Sequence, residues 1–337
     1  MVRNKRTGFG LQAVLASLLI AVIFLGGCTT TQNEKVYHVG VLSGLNFVAD
    51  ITDGLKAKMT ELGYTEGKNI VYDVQKTDFD MTAYRSALNK FVDDRVDVIV
   101  VFPTEASMEA KKATEGTGIP VVFTFALIEG MGLVDSIREP GGNITGVRYP
   151  GPDIVLQRFE VMQEMVPQAK RFLVPYQRGY PIVDPQLEVL RPAAQAAGVT
   201  LVELPADNAA ELQAYFDARN KSVDAGFDAI LIIVEPLAVT PDAFGVIGKF
   251  AYEHKLPIGG ALMAAGNYTS IFGVNVNNVA VGRQTAPLVD KVLRGTPAGT
   301  IPVVSADSYF QINYKAAQAF GLNMSEGLLA RADEIIR

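Results

Sequence analysis

The sequence predicts an α/β protein of two doubly wound, parallel-sheet lobes, and three observations carry that expectation. Short apolar runs rich in Val and Ile alternate with segments of helical spacing along most of the chain. The alternation breaks at a Gly- and Pro-rich stretch near the middle and then resumes, and two stretches of the second half read like stretches of the first. Strand, helix, strand at this tempo calls for right-handed crossovers between parallel strands.

Residues 1–27 stand outside that plan. Arg3, Lys5 and Arg6 form a basic start, an apolar run follows from Phe9 to Phe24, and Leu25-Gly26-Gly27-Cys28 closes it in the pattern of a bacterial lipobox. Such a segment is a processing signal, removed from the mature protein. Small Gly26 and Gly27 admit the backbone to a peptidase cleft, and the Cys28 thiol is the nucleophile that accepts diacylglycerol before cleavage makes it the new N-terminus. The apolar run is shorter than the roughly 20 residues a spanning helix needs. The expectation is a signal peptide over 1–27, lipidation at Cys28, a polar tether over 28–35, and a protein held outside the cytoplasm, in the periplasm or at the cell surface. Each buried methylene of the lipid adds about 0.8 kcal/mol to the anchor.

Cys28 is the single cysteine of 337 residues, so the fold has no disulfide and depends on buried apolar surface. Loss of three basic residues with the signal leaves a mature chain more acidic than the full sequence, whose formal net charge is −6. An acidic surface argues against nucleic acid or anionic lipid headgroups as partners. Roughly 310 residues remain, enough for two domains at about 150 each.

In the first half, strands are expected at Tyr37–Leu42, Ile70–Val74, Val98–Phe102 and Ile119–Thr124. Between the first two, Phe47, Ile51, Leu55, Met59 and Leu62 recur every three or four residues, one face of a helix. In the second half, strands are expected at Lys170–Pro175, Val199–Leu204, Asp228–Val234 and Leu256–Gly260, with helices near Val183–Ala197, Ala209–Asp224 and Pro241–His254. Asp97-Val98-Ile99-Val100-Val101-Phe102 is echoed by Asp228-Ala229-Ile230-Leu231-Ile232-Ile233, and Ile119-Pro120-Val121 by Leu256-Pro257-Ile258. Buried parallel strands read alike in any protein, so the echo is compatible with a repeat without requiring one. Glu139-Pro140-Gly141-Gly142-Asn143-Ile144-Thr145-Gly146-Val147, followed by Pro150-Gly151-Pro152, punctuates the chain and sets the change of lobe near Tyr149. A further strand at Ile271–Asn275 precedes a helix at Val279–Arg294 whose lobe periodicity does not decide.

Ligands of open α/β sheets sit beyond the carboxyl ends of the strands, where loops and helix N-termini offer free N–H groups. Those ends are Ser43–Phe47, Pro103–Glu105 and Thr124–Ala126 in the first half, and Tyr176–Tyr180, Glu235–Leu237 and Ala261–Met263 in the second. Catalysis finds little support there. His38 and His254 are the only histidines, and there is no HExxH, paired cysteine or His cluster, so no metal site and no cofactor is expected. Neither a G-x-S-x-G elbow nor a phosphate-binding G-x-x-x-x-G-K-[ST] loop is present. The chain reads as a binder rather than an enzyme.

From about Lys35 to Arg337 the sequence resembles the solute-binding proteins of ABC transporters in the family named for its tryptophan- and tyrosine-binding members. The resemblance rests on Gly54-Leu55-Lys56 with Glu61-Leu62-Gly63-Tyr64-Thr65-Glu66-Gly67-Lys68-Asn69, on Ile119-Pro120-Val121-Val122-Phe123-Thr124, on the Glu139–Val147 stretch and on Leu328-Leu329-Ala330-Arg331-Ala332-Asp333-Glu334. It implies a type I periplasmic-binding fold whose two lobes, joined by a three-segment hinge, close on a small molecule. It implies lobe 1 over 36–148 with 276–305, and lobe 2 over 149–275 with 306–337. It also implies a monomer that delivers an amino acid, or an aromatic or apolar carboxylate-bearing solute, to a membrane permease driven by an ATPase. A sensor presenting its ligand to a membrane receptor, or a sugar or nucleoside binder of the same fold, would read similarly.

The pocket segments depart from the family pattern. Ser43-Gly44-Leu45-Asn46-Phe47 lacks the usual His-Pro, Pro103-Thr104-Glu105-Ala106 replaces Thr-Pro-Ala, and Val234-Glu235-Pro236 replaces Thr-Asp-Asn. On physical grounds Glu235 is expected to pair with a ligand ammonium, while Thr104 and nearby backbone N–H groups take a carboxylate. Phe47, Phe125, Tyr176 and Tyr180 are expected to supply apolar or stacking walls. Ser43, Asn46, Glu105 and Met263 complete the expected site.

Overall fold

The fold is built from buried parallel strands whose side chains are apolar on both faces, the pattern that results when crossover helices cover a sheet on each side. In a computed structural model, which describes residues 1 and 2, 35–220, 222 and 224–337, β3 (Val98–Phe102) is the clearest case, with all five residues buried. It lies in a six-stranded parallel sheet with β1 (Tyr37–Ser43), β2 (Ile70–Lys76), β4 (Val121–Ala126), β5 (Ile144–Arg148) and a short late strand, β13 (Val304–Ser305). The order is β13-β5-β4-β3-β1-β2. The segment 3–34, with Cys28 and nearly all of the expected tether, lies outside the described residues.

The second sheet repeats the order. β6 (Arg171–Gln177), β7 (Thr200–Ala206), β8 (Ala229–Leu231) and β9 (Ile258–Gly259) run parallel as β7-β6-β8-β9. After a small antiparallel pair, β10 (Ala264–Ala265) and β11 (Tyr268–Thr269), a bridge between Gly260 and Gly273 extends the second sheet to β12 (Phe272–Val276), β14 (Ser308–Asn313) and β15 (Glu334–Ile336). Both main sheets are parallel, as the fold class expects, and β12 and β14 add an antiparallel pair at the margin of the second. The chain passes between the sheets three times, after β5, after β12 and between β13 and β14.

The echo between the halves has a geometric basis. The Asp97 carboxylate accepts the N–H of His38 at the start of β1 (2.7 Å), and that of Asp228 accepts the N–H of Arg171 at the start of β6 (2.9 Å). Two residues on, Ile99 N–H donates to the Pro120 carbonyl and Ile230 N–H to that of Pro257, both at 2.9 Å. The two sequences read alike because the aspartates cap equivalent strand starts and the prolines occupy equivalent strand entries.

Some elements differ from expectation. Ile144–Arg148, read as part of a Gly-rich crossing, is strand β5, with Gly146 so close beneath Phe123 that a Cβ there would meet its carbonyl oxygen at 2.1 Å. A helix at Gly151–Met165, opened by Pro152 in its first turn, follows at once. Strand β8 ends at Leu231, three residues short of expectation, although the Ile232 N–H still donates to the Gly259 carbonyl (2.8 Å).

The helix at Asn278–Leu293 packs on β3, β4 and β5 of the first sheet and against the helix at Ile51–Glu61. Paired glycines set that contact. A Cβ on Gly54 would lie 2.0 Å from the Val279 carbonyl oxygen, and one on Gly282 2.0 Å from that of Ile51. Residues 37–337 form one compact unit, and none of the helices among the described residues is long and apolar enough to cross a membrane.

Candidate functional site

In both sheets the second strand lies on one side of the first and the third on the other, so the loops leaving the carboxyl ends diverge and open a crevice. The two crevices face one cavity of about 630 Å³, lined from both sheets. Eight expected site residues line it: Asn46, Phe47, Thr104, Glu105, Phe125, Tyr180, Glu235 and Met263. Asn46 and Phe47 form its exposed rim, Phe47 retaining 61% of its surface.

Phe125 reaches the cavity through a distortion of its strand. The register between β4 and β5 slips between Thr124 and Ala126, and Phe125 itself adopts φ +50°, a left-handed backbone rare for an aromatic residue. The bulge re-aims its ring against Tyr149 at 4.9 Å between centroids, edge to face. The Tyr149 hydroxyl donates to Asn275 Oδ1 (2.8 Å), and burial pushes it up to about 12.

Ser43 and Tyr176 are not part of the lining. Ser43 is fully buried at the end of β1, its Oγ without a hydrogen-bond partner. Tyr176 turns along its sheet to donate to Glu203 Oε2 on β7 (3.0 Å) instead of facing the cavity.

Glu235 is at the cavity wall, yet its carboxylate is already engaged. Oε2 accepts the N–H groups of Gln177 (3.1 Å) and Leu237 (2.7 Å), and Oε1 accepts that of Ala238 (2.5 Å). It thereby holds the short 3-10 turn at Leu237–Val239. Burial raises its pKa above the ordinary carboxylate value and outweighs the three N–H donors that lower it. The expected ammonium-pairing role therefore competes with a structural one. Thr104 Oγ1 accepts the N–H of Leu127 (3.0 Å) and keeps its own proton to donate.

Glu105, at the start of the helix Thr104–Ala113, accepts the hydroxyl of Tyr180 from the β6 side. That bond joins the walls of the cavity. Burial, reinforced by the Glu105 charge, raises the Tyr180 pKa.

Arg158 was missed by sequence reasoning. It is 2% exposed, lines the cavity, and donates from Nε to the Val274 carbonyl (2.8 Å) and from Nη1 to that of Ile232 (3.0 Å). Among the described residues it has no carboxylate partner, and burial lowers its pKa. The available signal was its place in the stripe Ile154, Val155, Arg158, Phe159, Met162, a charge at the spacing of a buried helix face. Gln186, also missed, grips the Val234 backbone from both ends of its amide, at 2.6 and 3.0 Å. No group of His, Cys, Asp and Glu able to hold a metal occurs among the described residues.

The sequence model described as ABC transporter substrate binding protein matches residues 42–336, almost the whole compact unit. The chain belongs to that family. It is 25% identical over 324 residues to a tyrosine-binding protein of Clostridioides difficile (strain R20291), covering 91% of this chain and 89% of the relative. Among solved structures, a conserved domain protein from Vibrio cholerae is 27% identical with a TM-score of 0.75, over 89% of this chain and all of that one. The ABC domain in complex with L-Trp from Streptococcus pneumonia has the same TM-score at 22% identity, over 90% of this chain and all of that one, and shows the fold alone. The chain is thus a substrate-binding protein with a type I periplasmic-binding fold that serves an ABC transporter with a small-molecule ligand. Its family works outside the cytoplasm and is in general not enzymatic.

Proposed function

We propose that this protein is the lipid-anchored solute receptor of an ABC importer, closing two lobes over an amino acid or an aromatic or apolar carboxylate-bearing solute and handing it to the permease. The cavity of about 630 Å³ between facing strand ends, spanned by the Tyr180–Glu105 bond, is the observation that carries this reading. A volume in the range of small-molecule sites, with mostly apolar walls and a few convergent polar groups, suits such a ligand. The tyrosine-binding relative and the L-Trp-bound structural neighbour support the choice of solute.

In this reading lobe 1 comprises 36–148 with 276–305 and lobe 2 comprises 149–275 with 306–337, in line with the membership of the two sheets. Asn46, Phe47, Thr104, Glu105, Phe125, Tyr180, Glu235 and Met263 contribute to the site. The protein acts as a monomer, and Cys28 carries the lipid that keeps it near its permease.

The test is to purify the protein, identify any co-purified small molecule by native mass spectrometry, and screen amino acids, organic acids, amines, sugars and nucleosides by thermal shift. A solute at 100 times its dissociation constant should add about 2.7 kcal/mol of stability. A panel that shifts nothing would count against solute binding. For the anchor, Cys28→Ser should abolish incorporation of labelled fatty acid and release the protein from the membrane fraction; retention of the label would refute it.

A further inference from the structure

We infer that Arg158 reads an anionic group on the ligand, so that the cleft takes a carboxylate-bearing solute with an aromatic or apolar body and does not require an amine. The inference rests on the reading of this cavity as the solute site.

Charge balance leads to it. Arg158 is buried at the cavity wall, and its two protein partners are carbonyl oxygens, of Val274 and Ile232. These dipoles fix the guanidinium plane without neutralising it. A buried charge left uncompensated costs several kcal/mol, a cost relieved by an opposite charge of matching geometry. Among the described residues the protein supplies no such charge, and none of their acceptors uses Nη2 of the held guanidinium. A carboxylate is the planar anion that fits an arginine fork.

The carboxylates of the lining point the same way. Glu235 is committed to three backbone N–H groups, Glu105 accepts the Tyr180 hydroxyl, and Asp78 lies exposed on the rim, where it accepts the Asn46 N–H. Among the described residues the buried acid of the lining, Glu235, is thus committed, and half-buried Glu105 keeps only Oε2 without a protein donor, a weaker anchor for an ammonium than the held guanidinium is for a carboxylate. The Phe125–Tyr149 pair, Leu127, Ile182 and Val234 offer an apolar surface to the rest of the molecule.

Arg158 could instead serve only as a staple between the end of β8 and β12, and the experiment separates the two roles. Three probes share one aromatic body: L-tyrosine, 3-(4-hydroxyphenyl)propionate, which lacks the amine, and tyramine, which lacks the carboxylate. Titration calorimetry on the purified protein should show both acids binding within a few-fold of each other and tyramine not binding. Arg158→Met should weaken both acids by roughly 30-fold or more, the effect of removing one partner of a buried charge pair. It should leave the melting temperature of the free protein unchanged or higher, since an apolar side chain replaces an unpaired charge. Binding of tyramine overturns the inference. So does full affinity in Arg158→Met, and a variant that melts lower with affinity intact identifies the staple. Should Arg158→Met not fold, the comparison of the three probes on the unaltered protein decides alone. If none of the three binds but another carboxylate of the wider panel does, that acid takes their place against Arg158→Met. If only neutral or cationic solutes bind, this inference falls and the solute-binding reading stands; if no solute of any class binds, the reading itself falls.

Discussion

Glu235 shows how a residue can stand at a site and still be chiefly structural. Its two oxygens satisfy three backbone N–H groups at the turn after β8 and below Gln177. Glu235→Ala would leave those donors buried without acceptors, at about 1–3 kcal/mol for an unsatisfied group. The expected outcome is a loss of stability of at least that order in denaturant unfolding of the free protein. Unchanged stability with lost binding would instead restore its role as a ligand partner. The pH dependence has a definite sign. The folded pKa is raised by burial, so the contribution of this group is fully present below its unfolded value of about 4.3. It is lost as pH rises through the folded value. Unfolding midpoints of the protein and of Glu235→Gln, followed from pH 4 upward, should therefore change relative to one another across that window, and a constant difference would contradict the shift.

At the scale of elements, the helices at Ile51–Glu61 and Asn278–Leu293 touch backbone to backbone through Gly54 and Gly282. Alanine normally gains about 1 kcal/mol over glycine inside a helix. Here the added Cβ would lie 2.0 Å from a carbonyl oxygen of the neighbouring helix, which is main chain and cannot rotate away. Overpacking of this kind costs about 1–3 kcal/mol and outweighs the propensity gain. Gly54→Ala and Gly282→Ala should each lower the unfolding midpoint, and a stabilised variant would show that the helices separate freely. The same scale explains what could be read in advance. Strands such as Val98–Phe102 are legible because a strand buried on both faces is apolar throughout. Strand β5 was hidden because Gly146, needed for its approach to Phe123, reads as punctuation. The rim positions Thr104, Glu105 and Tyr180 follow from the strand ends. Arg158 does not, because it comes from mid-helix, where a lone arginine reads as solvated until the helix is known to be covered.

At the scale of the molecule, two sheets of the same strand order are linked by three short passages, so the connections themselves offer little resistance to hinging. Among the described residues, the Tyr180 hydroxyl donating to Glu105 is a bond that crosses directly between the cavity walls. A hydrogen bond to a charged acceptor contributes about 1.5–3 kcal/mol, less where water reaches it, and Glu105 is only half-buried. Removing the hydroxyl in Tyr180→Phe leaves the aromatic wall in place and shifts the free protein toward more open arrangements. Small-angle scattering should record a larger radius of gyration for the variant without ligand and a return to the original value with saturating ligand. Affinity should fall by up to roughly tenfold, because part of the binding energy now goes into closure. Glu105→Gln keeps an acceptor for the hydroxyl and should be milder than Tyr180→Phe. The two together should weaken binding by less than the sum of their separate effects, since both act on one bond. Strict additivity, or a radius of gyration that does not change in Tyr180→Phe, would mean that this bond is not what keeps the cleft shut.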